Sequence, residues 1–459
     1  MTNCYSSYQN SQLPWIDKIP SHWKWLRNGI LLNNHCEKVG DQYSQYQLLS
    51  LTTKGIKEKN INDNTGKVPD SYDGYQKVYP GDMVFCLFDL DCSAVFSGLS
   101  DYNGMITSAY DVAKPNEDIV SGNYLKYWFD AVFFGRYYKI YSKSVRYTIN
   151  YDVFRTIKCP IPPMTEQIQI VRYLEWKTFE IDKFIHEKNK QIKLLKDIKQ
   201  IEIDRLVLRG TREHQVIRTN IMGLEEIPED WTILRNKNLF YERSEYSTTG
   251  EERLLSVSKH FGVKPSDLLS ENEQFATIKP AESLVGYKIV KKNDLVMNIM
   301  RARNGSYGIS NYDGIVSAAY CVYGLKVRCN PRYIHFLLRS PHIISTYEAY
   351  AYGICEHRRR LYADDFLRLY SVLPDIDEQN EIVSRIDELE HHNNLAIEQV
   401  SKEIELLKEL RTKIIADVVT GQIDVRKVII PDYDKETIDE EDEIDTDSED
   451  SDDESEDEE

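Results

Sequence analysis

Two stretches of this 459-residue chain interleave cations with aromatic side chains. In the first, Arg136, Lys139, Lys143 and Arg146 alternate with Tyr137, Tyr138, Tyr141 and Tyr147; in the second, His357-Arg358-Arg359-Arg360 runs into Leu361-Tyr362. A third cationic segment, Arg301-Ala302-Arg303-Asn304-Gly305-Ser306-Tyr307-Gly308, is punctuated by glycine, which permits close backbone approach. Lysine and arginine neutralise phosphates, and arginine and asparagine also read base edges bidentately in the major groove. Most charge runs are only solvated faces with scattered ion pairs. Here the placement recurs: Arg146 lies eight residues before Phe154, and Arg358 eight before Phe366. The candidate nucleic-acid contacts are therefore Arg136, Lys139, Lys143, Arg146, Tyr147, Arg301, Arg303, Asn304, Arg358, Arg359 and Arg360.

That recurrence belongs to a duplication of nearly the whole chain. Ile19-Pro20-Ser21-His22-Trp23 answers Ile227-Pro228-Glu229-Asp230-Trp231, and each is followed by Leu-Arg-Asn (Leu26-Arg27-Asn28 and Leu234-Arg235-Asn236). Gly81-Asp82-Met83-Val84-Phe85 answers Asn293-Asp294-Leu295-Val296-Met297, short apolar runs typical of buried strands. Glu166-Gln167-Ile168-Gln169-Ile170-Val171 answers Glu378-Gln379-Asn380-Glu381-Ile382-Val383, and Leu194-Leu195-Lys196 answers Leu406-Leu407-Lys408, both at an offset of 212. A constant offset that long marks a duplicated unit. Between these blocks the likeness fades, and residues 42–73 and 250–282 share little beyond Leu49-Ser50 and Leu255-Ser256. One scaffold with two different surfaces suits a protein that reads two targets with one architecture.

The elements that must hold these surfaces include two long helices. Ile170, Leu174, Ile181, Ile185, Ile192, Leu195 and Ile198 recur at steps of three, four and seven, as do Ile382, Ile386, Leu389, Val400, Ile404, Leu407, Ile414 and Val418. Such steps form one helical stripe. A helix of some 40 residues is a rod of roughly 60 Å that cannot bury its stripe alone, so the two pair as an antiparallel coiled coil. His391-His392-Asn393-Asn394 interrupts the second stripe. Adjacent histidines face different ways on a helix, so the tetrad reads as a solvated or register-setting interruption rather than a metal site. The class is α+β, with a first globular domain over 1–162, a long helix over 163–210, a similar second domain over 211–374, a second long helix over 375–425 and a tail over 426–459.

The net charge of −18 would argue against a nucleic-acid partner if it were spread evenly. Residues 432–459 hold 19 acids and one base, which leaves residues 1–431 balanced at 56 acids against 56 bases. The Glu/Asp/Ser tail cannot bury enough apolar surface to fold and is expected to be disordered. Eight cysteines form no C-x-x-C pair, and no signal peptide or apolar run of spanning length occurs. A cytoplasmic protein with reduced thiols and no structural zinc is expected. Catalytic signatures are missing: Ile61 stands where a phosphate loop ending at Gly66-Lys67 needs glycine, and neither H-E-x-x-H nor G-x-S-x-G occurs. Ile161-Pro162-Pro163-Met164 lacks the amide or carboxylate and the aromatic of the amino-methyltransferase motif and reads as the stop before a helix.

The duplicated Ile-Pro-x-x-Trp phrase, the Gly/Asn-Asp strand, the Arg eight before a Phe, and the proline followed by Glu-Gln-x-x-Ile-Val and a long helix make a combined pattern. Over roughly residues 15–425 the chain resembles the DNA specificity (S) subunits of type I restriction-modification systems. The resemblance implies two target recognition domains, each reading one half of a split site in double-stranded DNA. It implies paired helices that set the spacer and dock two modification (methyltransferase) subunits, with Glu166, Gln167, Leu174, Leu195, Glu378, Gln379, Leu389 and Leu407 on the docking helices. Restriction (endonuclease/translocase) subunits join that assembly. The S subunit is then not an enzyme and binds no cofactor or metal; S-adenosylmethionine serves the modification subunits, and ATP and magnesium serve restriction. A rod of roughly 60 Å corresponds to just under two turns of B-DNA. The acidic tail falls outside the family pattern. It motivates the alternative of a coiled-coil interaction or decoy protein whose tail competes with DNA for restriction-modification partners.

Exchanging residues 20–160 for the first domain of another such subunit is expected to change one half of the recognised sequence only. Sequencing of methylated sites checks this, and a change in both halves would refute the two-domain reading.

Overall fold

The computed structural model describes residues 4–60, 71–269, 283–353 and 359–433. Arg358 and the acidic segment from residue 434 onward, with the disorder expected of it, lie outside the described residues. Among the described residues the chain forms two compact units, one from residues up to Glu187 together with those from Lys402, the other from Lys188–Ser401. Each unit thus combines one α+β domain with the start of one long helix and the end of the other.

In the first unit a four-stranded antiparallel sheet runs in the order Leu32–Asn34, Asp111–Pro115, Met83–Phe85, Ser97–Leu99. Met83, Val84 and Phe85 are all buried, as an apolar run inside a sheet covered on both faces must be. The helix Gly122–Phe134 supplies one cover, with Phe129 set 5.0 Å from Phe85 in an edge contact. A second sheet orders Gly55–Lys59, Gln47–Thr52, Gly104–Ile106 and Gln76–Val78, with Gln47–Thr52 parallel to Gly104–Ile106. A Cβ on Gly104 would run into the Gln47 carbonyl oxygen, so the crossing requires glycine. Lys24–Arg27 pairs with Lys158–Ile161 and ties the start of the domain to its end.

The second unit repeats this plan. Its four-stranded sheet runs Phe240–Glu242, Cys321–Leu325, Leu295–Met297, Tyr307–Ile309, and Thr232–Arg235 pairs with Tyr370–Leu373. Gly314 meets the Arg253 carbonyl as Gly104 meets that of Gln47. The Gly/Asn-Asp phrase also has one cause in both units. Gly81 and Asn293 sit at φ +89° and +73°, where glycine and asparagine are the tolerated residues. The following Asp82 and Asp294 carboxylates accept the N–H of Tyr79 and of Lys291, each at 2.8 Å.

The long helices are Met164–Arg209 and Ile376–Val419. In the first unit Ile170, Val171 and Leu174 share a core with Ile415, Val418 and Val419, and Arg411 bonds Asp182 at 2.9 Å. In the second, Ile203, Leu206 and Val207 share a core with Ile382, Val383 and Ile386. Within each unit the start of one helix lies beside the end of the other, so they run antiparallel. Asn393 is buried between them and donates to the Leu195 carbonyl at 2.8 Å, while His391 and His392 are exposed, so the polar tetrad includes a bond that fixes register. Ile198, placed in the stripe by its spacing, is 58% exposed instead. Two successive steps of three turn a helix back by about 120°, whereas Ile203, eleven residues past Ile192, returns to within about 20°. Residues 426–433, assigned from sequence to the tail, also depart from expectation. They lie on the first unit: the Gln169 amide donates to the Val425 and Val428 carbonyls at 3.0 and 2.9 Å, and the Tyr433 ring sits 5.5 Å from that of Phe179.

The repeated phrases prove to be each other's partners. Glu166, buried in the first turn of its helix, accepts from Tyr5 Oη at 2.6 Å and Trp23 Nε1 at 3.0 Å, with His22 Nε2 2.7 Å away. Glu378, equally buried, accepts from Trp231 Nε1 at 3.2 Å and lies 2.8 Å from His214 Nε2. The amides of Gln167 and Gln379 donate to the Pro162 and Pro374 carbonyls, each at 2.9 Å, and accept the N–H of Ser121 and Asn330, where the helices Gly122–Phe134 and Pro331–Leu338 begin. Asn28 and Asn236, closing Leu-Arg-Asn, donate to the carbonyls of Phe154 and Phe366 at 3.1 and 2.9 Å.

Burial disfavours a charge on His214, but the hydrogen bond and charge of Glu378, and then those of Asp230, outweigh it and raise the imidazole above its ordinary value. A raised folded value means that the pair stabilises fully below the unfolded histidine value of about 6.5 and loses this as pH climbs through the folded value. The parent's thermal stability is therefore expected to exceed that of His214→Gln most at pH 5–6, with the margin narrowing above neutrality. A margin that widens with pH would refute the pairing.

Candidate nucleic-acid interface

In the first unit the cationic run begins where the helix Gly122–Phe134 ends. Arg136 adopts φ +51°, donates from Nη1 to the Ser93 carbonyl at 2.8 Å, and lays its guanidinium 4.2 Å from the Phe133 ring centre. These contacts brace the loop at Leu90–Ser93 against the helix end and take up the charge, so Arg136 stands behind the surface rather than on it. Tyr138 is buried in the core, and Tyr137 stacks on Trp15 at 5.1 Å. The exposed part is the strap at residues 142–148, where Lys143 and Arg146 flank a Val145 that is 97% exposed. Lys139 points its ammonium at the Tyr147 ring from 5.9 Å. The strap is pinned where the Ile149 N–H donates to the Leu87 carbonyl at 2.9 Å. Lys139, Lys143, Arg146 and Tyr147 are thus gathered on one exposed segment.

In the second unit Arg301, Arg303 and Asn304 occupy the loop between Leu295–Met297 and Tyr307–Ile309. Ala302 is buried beneath a short helical turn, which holds Arg301 and Arg303 half-exposed and Asn304 exposed. The Leu361 N–H donates to the Ile299 carbonyl at 3.1 Å, the same bond that Ile149 makes to Leu87. It brings Arg360 to this loop. Arg360 exchanges backbone hydrogen bonds with Tyr352, and its guanidinium, like those of Arg301 and Arg303, has no partner among the described residues. Arg359 is placed otherwise. Its guanidinium caps the helix Pro341–Tyr350, donating to the Ala351 and Glu348 carbonyls at 3.1 and 2.9 Å. Its Nε and one Nη are thus taken up by helix-end acceptors.

The docking residues divide as well. Glu166, Gln167, Glu378, Gln379 and Leu174 are buried within their own units, where a second chain cannot reach them. Leu195, Leu389 and Leu407 are half-buried along the helix pairs. The apolar side chains left open lie off the core face, and the stripe read from the sequence had included only Ile198 of them. On the first helix Leu194, Ile198 and Ile201 are 59, 58 and 68% exposed, at steps of four and three that form a second stripe. The signal was legible: three apolar residues repeating off the core face.

Arg136→Ala is expected to lower stability by about 1–3 kcal/mol, since it removes charge-assisted hydrogen bonds. Arg146→Ala should leave stability unchanged and weaken DNA binding by about 1–3 kcal/mol if it contacts a base edge. Melting curves and DNA titrations on both variants separate brace from contact, and a reversal of the two effects would overturn the assignment.

No family model matches the chain. It is 23% identical over 444 residues to the putative type I restriction enzyme MjaX specificity subunit of Methanocaldococcus jannaschii, covering 90% of this chain and 96% of that one. It is 25% identical over 302 residues to the type I restriction enzyme MjaVIII specificity subunit of the same organism, covering 61% of this chain and 65%, just under two thirds, of that one. A chain from a solved structure concerned with complex assembly and conformational transition of the type I R-M system aligns over 88% of this chain and 99% of its own length, at 14% identity and a TM-score of 0.56, and shares the fold. In its duplicated sequence and over most of its length the chain is thus similar to the specificity subunits of type I restriction enzymes, and it shares the fold of a chain from a type I R-M system.

Proposed function

We propose that this chain is the non-catalytic DNA-specificity subunit of a type I restriction-modification complex, reading a two-part DNA site with its two domains. The observation that carries the reading is one scaffold built twice with unlike exposed loops, each beside a strap or turn bearing arginines that form no ion pair among the described residues. Unpaired guanidinium and ammonium groups on an exposed loop suit phosphates and base edges. The long helices dock two methyltransferase subunits, and restriction subunits join them; S-adenosylmethionine, ATP and magnesium are used by those partners. The complex works in the cytoplasm. No described helix is long and apolar enough to cross a membrane.

The test is methylome sequencing of cells carrying the methyltransferase subunit with and without this chain. A split adenine-methylated motif that appears only with the chain is expected, and its absence would overturn the reading. For docking, the exposed stripe supplies the partner face. Ile198→Asp and Ile201→Asp are expected to abolish copurification of methyltransferase subunits without lowering the melting temperature, because neither side chain is in a core. Leu174→Asp puts a charge among buried residues and should unfold its unit. Normal complexes from both surface variants would place docking elsewhere.

A further inference from the structure

The loops after Met83–Phe85 and after Leu295–Met297 correspond in their first halves, the first loop closing two residues later and holding Asp89 at φ +50° where Arg301 has φ −115°. Each is closed by a bond across its hairpin, from the Cys86 N–H to the Phe96 carbonyl at 2.7 Å and from the Asn298 N–H to the Ser306 carbonyl at 3.1 Å. Each receives the bond already described from the neighbouring segment, at Leu87 and at Ile299. In each, one carbonyl folds the loop back on itself: that of Asp89 accepts from the N–H of Cys92 and Ser93, and that of Arg301 from the N–H of Asn304 and Ser306. With the frames matched in this way, Asp89 stands where Arg301 stands, and Asp91 where Arg303 stands.

The same two places therefore hold carboxylates in one domain and guanidiniums in the other. Asp91 is exposed and Asp89 half-exposed, beside the strap that carries Arg146, and the Leu90 N–H donates to the Tyr147 carbonyl at 3.4 Å. None of the four side chains forms an ion pair among the described residues, although the Asp91 carboxylate lies in hydrogen-bond contact with the Cys92 thiol beside it. Carboxylates next to a phosphate-binding strap repel a polyanion unless they meet a donor on it. The donors that DNA offers in its major groove are the exocyclic amino groups of cytosine and adenine; guanine offers the paired acceptors O6 and N7.

We infer that this loop chooses the base in each domain, and that the two domains choose by opposite chemistry. Arg301 and Arg303 donate to guanine O6 and N7, whereas Asp89 and Asp91 accept from a cytosine or adenine amino group. The inference rests on the chain being a DNA-specificity subunit and names the residues that set its two half-sites.

The test uses the full chain coexpressed with its methyltransferase subunits, with methylome sequencing of the parent, Arg303→Ala, Arg303→Lys and Asp91→Ala. The domain exchange over residues 20–160 assigns each half-site to its domain. Arg303→Ala is expected to reduce the preference for one guanine in the second domain's half-site by about ten- to hundredfold, leaving the other half intact. Arg303→Lys keeps the charge but lacks the two-pronged donor, so it relaxes the same position by less and preserves the loop if the alanine variant fails to fold. Asp91→Ala relaxes a cytosine or adenine position in the first half-site. Variants that melt like the parent and methylate an unchanged motif would overturn the inference while leaving the specificity-subunit reading in place. A parent with no split motif would overturn that reading instead.

Discussion

A carboxylate taken out of water must be hydrogen-bonded on every side that water has left, or its burial costs several kcal/mol (about 1–3 or more). Glu166 and Glu378 meet that demand in the first turn of the two long helices, where the helix dipole favours negative charge and an indole N–H from the Pro-x-x-Trp phrase completes the shell. The bond reaches across 143 residues in one unit and 147 in the other. It is what makes the opening strands of a domain and the beginning of its helix a single structure. The glutamine that follows each carboxylate then fixes the start of a helix of its own domain, at Ser121 or Asn330, against the same junction.

Around that shared bond the two units diverge in their remaining partners. Tyr5 and His22 complete the shell of Glu166, whereas His214, itself bonded to Asp230, serves Glu378. A second tie is common to both. Tyr124 Oη donates to the carbonyls of Pro160 and Val419, and Tyr333 Oη to those of Val372 and Val207. Within each unit one tyrosine thus clasps the closing strand of its own domain and the last turns of the opposite helix. The duplication in sequence is a duplication of these ties, and they explain why each domain associates with both helices rather than with its sequence neighbour alone.

The duplication, the α+β class, the helices and the polar interruption at Asn393 were legible because they rest on spacing, and spacing survives folding. The fate of individual cations was not. Arg136 and Arg359 look like members of binding runs, yet both complete carbonyls left open at a loop or a helix end, which charge counting cannot foresee. Glu166 and Gln167 were legible as landmarks but not as buried ones, since a glutamate in a Lys/Glu-rich helix gives no hint of an indole 143 residues away. The loop at residues 87–93 drew no notice from sequence because it is acidic, and only matched backbone bonds reveal that it is the counterpart of the Arg301–Asn304 turn.

The straps and loops are held to one another through main-chain groups, Ile149 to Leu87 in one domain and Leu361 to Ile299 in the other. A main-chain bond is indifferent to which side chain stands above it. Point changes at these exposed positions can therefore accumulate with little penalty to the fold beneath, and the scaffold tolerates drift on its exposed loops. Two copies of one such frame let the exposed surface of either domain change independently of the other, while the buried junction stays as it is.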